Sequence, residues 1–270
     1  MAELSPPSIQ SKPEVHLWWL TAVFIAINVG LFLWQVLSGV NITAPSLVDA
    51  IHWGADYAPL TFLEEPTRLF TSMFFHFGLI HLMLNMWALY IFGSVAEQLL
   101  GRFYYLGLYI LAGLMGSLLS GFLDIQNTFE LLQRNDSKLF PTVSAGASGA
   151  VMGIGSALTV LSLLPMLPKQ RFILDKKTLL MIMGINLLIG FTIPGINNAA
   201  HIGGMLMGAV LTAIWYVGQR IHKPNLAFVV GLAVGMISCY LLYAYCMQQV
   251  QILEPVWRQV LAAMRTQLHF

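Results

Sequence analysis

Seven apolar runs, most of them long enough to cross the hydrocarbon core of a bilayer, leave this chain few ways to fold. They lie at about 17–38, 74–95, 103–122, 146–165, 178–193, 199–218 and 226–247, separated by polar or Pro/Gly-rich punctuation. A helix needs about 20 apolar residues to span that core. The expected fold class is therefore an all-α polytopic membrane protein. Composition agrees: of 270 residues, 57% are apolar and only 9% charged, whereas a soluble domain carries about a quarter charged residues. So few charges cannot coat a globule in water, and the lipid bilayer is the implied partner. The net charge of +1 says nothing about nucleic acid, and no basic run is long enough to suggest it, so no nucleic-acid partner is expected. Cys239 and Cys246 sit inside the last apolar run and read as packing residues, not as a disulfide, redox pair or metal site. No cofactor or metal is expected.

The first run is too long for the apolar region of a signal peptide, so it reads as a retained helix. Residues 1–16, with Pro6, Pro7 and Pro13, read as a disordered tail, and the stretch 248–270 as a short amphipathic tail. The connection 39–73 contains Leu60, Phe62, Leu63, Leu69 and Phe70 and is too apolar for a free linker. It is expected to lie partly in the membrane interface. Lys and Arg counts in the loops set orientation. With the N-terminus cytoplasmic, that side holds Lys12, Arg102, Lys169, Arg171, Lys176, Lys177, Arg220 and Lys223, against Arg68, Arg134, Lys138, Arg258 and Arg265 outside. The bias favours the N-in arrangement.

Alternation of direction then brings distant residues to one depth. The second, fourth and sixth runs all begin at the outer face. His81 and Asn85 lie early in the second, Ser148 at the start of the fourth, His201 at the start of the sixth. A polar or ionisable group inside a membrane is costly and marks a functional candidate. Gly149 and Gly153 form one small-residue stripe, and Ala200, Gly204 and Gly208 another, so the two helices carrying Ser148 and His201 can approach closely. A hydroxyl meeting an imidazole is what an activated serine nucleophile requires. His81 and Asn85, four apart, share a helical face and offer two donors of the kind an oxyanion hole uses. His76, five residues before His81 and about 140° around a continuous helix, is expected to face elsewhere and play a structural part. Each of these residues also has a plainer reading. Ser148 can be packing glue in a small-residue helix, and His81 with Asn85 can simply hydrogen-bond neighbouring helices. The three histidines could also serve a transporter, although no carboxylate within the runs shares that face and their spacing is poor for one metal.

His76-Phe77-Gly78-Leu79-Ile80-His81-Leu82-Met83-Leu84-Asn85, Gly146-Ala147-Ser148-Gly149 and Ala200-His201-Ile202-Gly203-Gly204 resemble, in order and on the corresponding helices, the three signature motifs of the rhomboid intramembrane serine proteases. The resemblance covers roughly residues 17–218 and implies a six-helix core, with 219–247 as a seventh helix in the family's six-plus-one layout. It further implies an endopeptidase working through a Ser148–His201 dyad without a carboxylate. The oxyanion hole would be formed by the Ser148 N–H, His81 and Asn85. The substrates would be single-pass transmembrane proteins. The expected setting is a bacterial inner membrane, with the site opening to the extracytoplasmic side. Glu97, Gly101 and Arg102 resemble a structural turn of the family. Thr67-Arg68 keeps an arginine but lacks the tryptophan common before it, and Met152 stands where an aromatic often packs on the catalytic histidine. The short fifth run, beside Pro194-Gly195-Ile196-Asn197-Asn198, reads as a mobile gate. A relative that binds transmembrane clients without cutting them would lack the serine or the histidine, and this chain keeps both.

Overall fold

The computed structural model describes residues 18–134, 136–167, 174–192 and 197–268. The tail at 1–16, Pro194-Gly195 and the basic residues Lys169 and Arg171 fall outside them. In chain order the helices are α1 (Trp19–Leu37), three short helices α2 (Leu47–His52), α3 (Ala58–Leu63) and α4 (Arg68–Thr71), then α5 (Leu79–Leu100), α6 (Arg102–Arg134), α7 (Ser148–Leu163), α8 (Lys176–Thr192), α9 (Asn198–Arg220) and α10 (Pro224–Leu268). No strand occurs among the described residues, only an antiparallel bridge between Asp56 and Ser144. Five of the helices, α1, α5, α6, α9 and α10, are long and apolar enough to cross a membrane, and α7 is a shorter apolar helix.

The molecule is apolar on its outside as well as in its core. On α5, Ile80, Met83, Leu84, Trp87 and Ile91 are exposed, while Leu82, Asn85, Met86, Leu89, Phe92 and Ala96 are buried. An exposed apolar stripe at helical spacing on so many helices marks a lipid-facing surface. At the centre stands α7, buried without interruption from Gly149 to Thr159. It packs against α5, α6, α8 and α9. A helix surrounded by protein on all sides needs no solvated face, and α7 carries no charged residue.

Three boundaries differ from those read in the sequence. The second apolar run does not begin as helix at 74. Gly78 adopts φ 91°, a left-handed conformation open to glycine, and α5 starts after it. The third run does not stop at 122: α6 continues to Arg134, about 50 Å in all. The last run and the expected tail are one helix of 45 residues with Pro255 inside it, about 67 Å long. The reason is shared. A hydropathy boundary records where lipid ends, and α6 and α10 continue past it by packing on each other and on α3. The connection 39–73, expected at the interface, folds into α2–α4 with Arg68 buried inside it.

The two small-residue stripes do meet, as the sequence predicts. A Cβ added at Gly204 would strike the Gly149 carbonyl, and one at Gly208 the Gly153 carbonyl. One at Gly153 would sit 2.9 Å from the Gly204 oxygen. At the opposite end of the bundle Glu97 fixes α1. Its carboxylate accepts hydrogen bonds from the Leu20 N–H (3.0 Å), the Thr21 N–H (2.8 Å) and the Thr21 hydroxyl (2.9 Å). Those amides belong to the first turn of α1, where N–H groups lack intrahelical acceptors and negative charge is favoured. Arg102 beside it stacks on Trp19, 5.4 Å from the ring centroid.

Two outcomes are expected. Gly204→Ala should cost about 1–3 kcal/mol by forcing α9 off α7. Gly184→Ala, where nothing lies within 4 Å of the added carbon, should be neutral or slightly stabilising. Thermal unfolding in detergent separates them. Glu97→Ala, which strips two buried donors and one part-buried donor of their acceptor, should cost at least about 2 kcal/mol in the same assay, and Glu97→Gln less.

Candidate active site

The loop before α7 is built around a glycine that cannot be replaced cheaply. Gly146 has φ 123°, and its N–H donates to the Ser72 carbonyl at 2.9 Å. A Cβ there would lie 2.8 Å from His81 Cε1 and 3.0 Å from His81 Nε2. The backbone thus turns directly against the His81 ring, and two residues later Ser148 opens α7, half-buried. As the first residue of a helix, Ser148 presents an N–H with no intrahelical acceptor at the positive end of the helix dipole.

His201 arrives from α9, whose start is set by Asn197. The Asn197 side chain accepts the Ala200 N–H at 3.0 Å and donates to the Ser120 hydroxyl. The Ala200 carbonyl then lies 3.3 Å from where a Cβ of Gly149 would stand and 2.7 Å from one on Gly116. The residue before His201 and the residue after Ser148 are therefore in direct backbone contact. A Cβ at 116 would clash with the Ala200 oxygen, and one at 149 would crowd it. His201 is 7% exposed, and its Nδ1 finds no hydrogen-bond partner among the described residues.

On α5, His81 Nδ1 accepts the Phe77 N–H at 3.1 Å. A nitrogen that accepts carries no proton, so the neutral ring holds its proton on Nε2, the nitrogen nearest Gly146. That leaves His81 a donor aimed at the loop that ends in Ser148. Asn85, one turn further on and buried, donates one amide hydrogen to the His81 carbonyl at 2.9 Å. Its second amide hydrogen remains available.

His76 is not turned away from this cluster. It lies before α5 and not on it, so the 140° offset of a continuous helix does not apply. The ring is fully buried, 5.2 Å from that of His81, and its Nε2 stands 3.5 Å from the Ala147 N–H, which donates to it. The structural part expected of His76 is compatible with this bond to the loop before α7. Gly78, inside the apolar run read at 74–95, was the signal for the true helix start.

A carboxylate also escaped sequence reasoning. Asp124 sits on α6 two residues past the sequence-based end of that run, 7% exposed. With Ser120, Asn127, Ser144, Asn197 and Asn198 it lines a cavity of about 300 Å³ beside the loop to Ser148. Nearby, Asp56 and Ser144 exchange two backbone hydrogen bonds of 2.8 Å each. Arg68 anchors the same layer from within, donating to the Ile51 (2.7 Å) and Ala55 (2.9 Å) carbonyls and pairing with Glu65. This explains how the layer is held without the expected tryptophan. Among the described residues no group of three or more His, Cys, Asp or Glu side chains could hold a metal ion.

An integral membrane protein with Ser148, His201, His81 and Asn85 at the same ends of packed helices is one member of a recognisable class. The sequence model of the Rhomboid domain matches residues 63–218. The chain belongs to the rhomboid family. It is 27% identical over 256 residues to "Rhomboid protease AarA" of Providencia stuartii, covering 91% of each chain. It is 31% identical over 224 residues to "Rhomboid protease GluP" of Bacillus subtilis, covering 80% of this chain and 39% of that one. A third relative, 34% identical over 184 residues, is "Inactive RHOMBOID-like protein 8" of Arabidopsis thaliana, with 66% of this chain and 46% of that one covered.

Asp56, in the connection before α5, gives a pH signature. Burial pushes its carboxyl up from 3.8 to about 6, against the Thr61 hydroxyl (2.6 Å) and Arg68, which favour the anion. The folded state keeps this proton longer than the unfolded one, so stability falls as pH rises from about 4 to about 6. Asp56→Asn should flatten the unfolding midpoint across that window, measured in detergent at pH 4.5 and pH 7.

Proposed function

We propose that this chain is an intramembrane serine endopeptidase whose dyad is Ser148 and His201. The observation that carries the reading is the backbone contact between Gly149 and Ala200, the immediate neighbours of the two residues. In the proposed reaction Ser148 Oγ attacks the scissile carbonyl carbon and its proton passes to His201. The tetrahedral oxyanion accepts hydrogen bonds from the Ser148 N–H, His81 Nε2–H and Asn85 Nδ2–H. The intermediate collapses, the amine leaves with the proton from His201, and water then hydrolyses the ester by the same route. The unpartnered Nδ1 of His201 fits a base working without a carboxylate behind it.

The substrates under this reading are single-pass transmembrane proteins, and the names of the Providencia and Bacillus relatives support peptidase chemistry. The layout would be six-plus-one, with a core over 17–218 and α10 as the added helix. The N-terminus would be cytoplasmic and the site would open to the extracytoplasmic side of a bacterial inner membrane. The Lys and Arg bias supports this orientation.

The test uses purified chain with a transmembrane substrate and a mechanism-based serine-hydrolase reagent. Ser148→Ala and His201→Ala should abolish cleavage, and Ser148→Ala should abolish labelling. Asn85→Ala should reduce turnover about 10- to 1000-fold, the range for losing one oxyanion donor. Labelling or cleavage that persists in Ser148→Ala ends the proposal. An unlabelled wild-type chain that holds intact clients would place this protein with the inactive relatives instead.

A further inference from the structure

The part of α10 beyond the apolar run 226–247 packs beside the loop that leads to Ser148. Past Pro255, Trp257 is fully buried, and its indole N–H donates to the Thr128 hydroxyl of α6 at 3.3 Å. Thr128 in turn donates to the Asp124 carbonyl at 2.7 Å, beside the cavity next to the Ser148 loop. One turn further, Leu261 is 2% exposed and closes a small apolar cluster with Ile51, Tyr57 and Leu60. Val260, Met264, Leu63 and Val143 pack around it. Arg265 adds an ion pair to Glu64 at 2.6 Å, exposed and therefore worth little.

Two members of this cluster decide its meaning. Tyr57 follows Asp56 and Val143 precedes Ser144, and those two neighbours form the paired backbone bridge. Ser144 lies four residues before Ser148, with Gly146 between them tied to Ser72. The cluster shares Leu63 with the main core, but α1, α5, α7 and α9 contribute nothing to it. Its loss would be felt first by the bridge and the loop, and only afterwards by the bundle.

We propose that residues 256–264 of α10 are a positioning element for the catalytic serine, acting through the Leu261 cluster on the Asp56–Ser144 bridge. None of these residues touches the reacting atoms. The inference about turnover rests on the peptidase reading above, while the inference about the bridge does not. Deleting buried methyl groups at Leu261 leaves a gap under Tyr57 and Val143 and lets the bridge open. The loop ending in Ser148 then samples positions out of line with the oxyanion donors, and loss of such alignment lowers kcat more than it raises KM.

The experiment compares the full chain with Leu261→Ala and Leu261→Met by hydrogen exchange and by turnover. In Leu261→Ala the amides of Asp56 and Ser144 should exchange about tenfold faster or more, with those of α5 and α9 unchanged. The kcat should fall at least about tenfold while KM stays within about twofold. Leu261→Met, which refills the volume, should restore both. Unchanged exchange at the bridge overturns the proposal, as does exchange that rises equally in α5 and α9. Faster bridge exchange with undiminished kcat also overturns it. A wild-type chain that neither cleaves nor labels would sink the peptidase reading instead, and the exchange result would still decide whether α10 holds the bridge.

Discussion

Everything in this molecule depends on how closely α9 can approach α7. In lipid, two apolar helices gain little by burying side chains against each other, because the tails are as apolar as leucine. What favours association is backbone proximity and the dispersion it brings. Here the proximity comes from glycines on both partners: Gly149 and Gly153 against Gly204 and Gly208, with Gly116 of α6 completing the contact at Ala200. One methyl group at Gly204 would meet a carbonyl oxygen that cannot move without moving a helix. Ser148 and His201 each stand beside a residue of this seam, so the same contact that holds the bundle also fixes their separation.

Around that seam polar groups are arranged so that few lack partners. The Phe77 amide selects the tautomer of His81, the Ala147 amide is directed at His76, and the Asn197 side chain both starts α9 and reaches Ser120. The exception among the catalytic candidates is His201 Nδ1. A buried polar atom without a partner costs free energy, and its position on the proposed base is where a departure from full satisfaction is most informative.

Much of this was legible in the sequence, and the misses have a common physical origin. Long apolar runs gave the helices, and four-residue spacing of Gly149/Gly153 and Gly204/Gly208 gave the seam, because both depend on local pattern alone. The candidates Ser148, His201, His81 and Asn85 could be named because polar residues are conspicuous in a lipid-facing sequence. Hydropathy could not show where α6 and α10 end, since both continue as helices past their apolar runs. Asp124 was missed for that reason, two residues past an apparent boundary. His76 was misplaced because one glycine, Gly78, breaks the helix the run implied. The fold of 39–73 depends on Arg68 bonding carbonyls 13 and 17 residues away, and no local pattern announces that.

The Glu97 carboxylate has a consequence for how the start of α1 can vary over evolution. Two of its three bonds go to main-chain amides, those of Leu20 and Thr21. The latch reads the backbone and is blind to the side chain at position 20. Any amino acid there preserves the bond except proline, which has no hydrogen to give. Drift in composition at that position is therefore compatible with one fixed geometry.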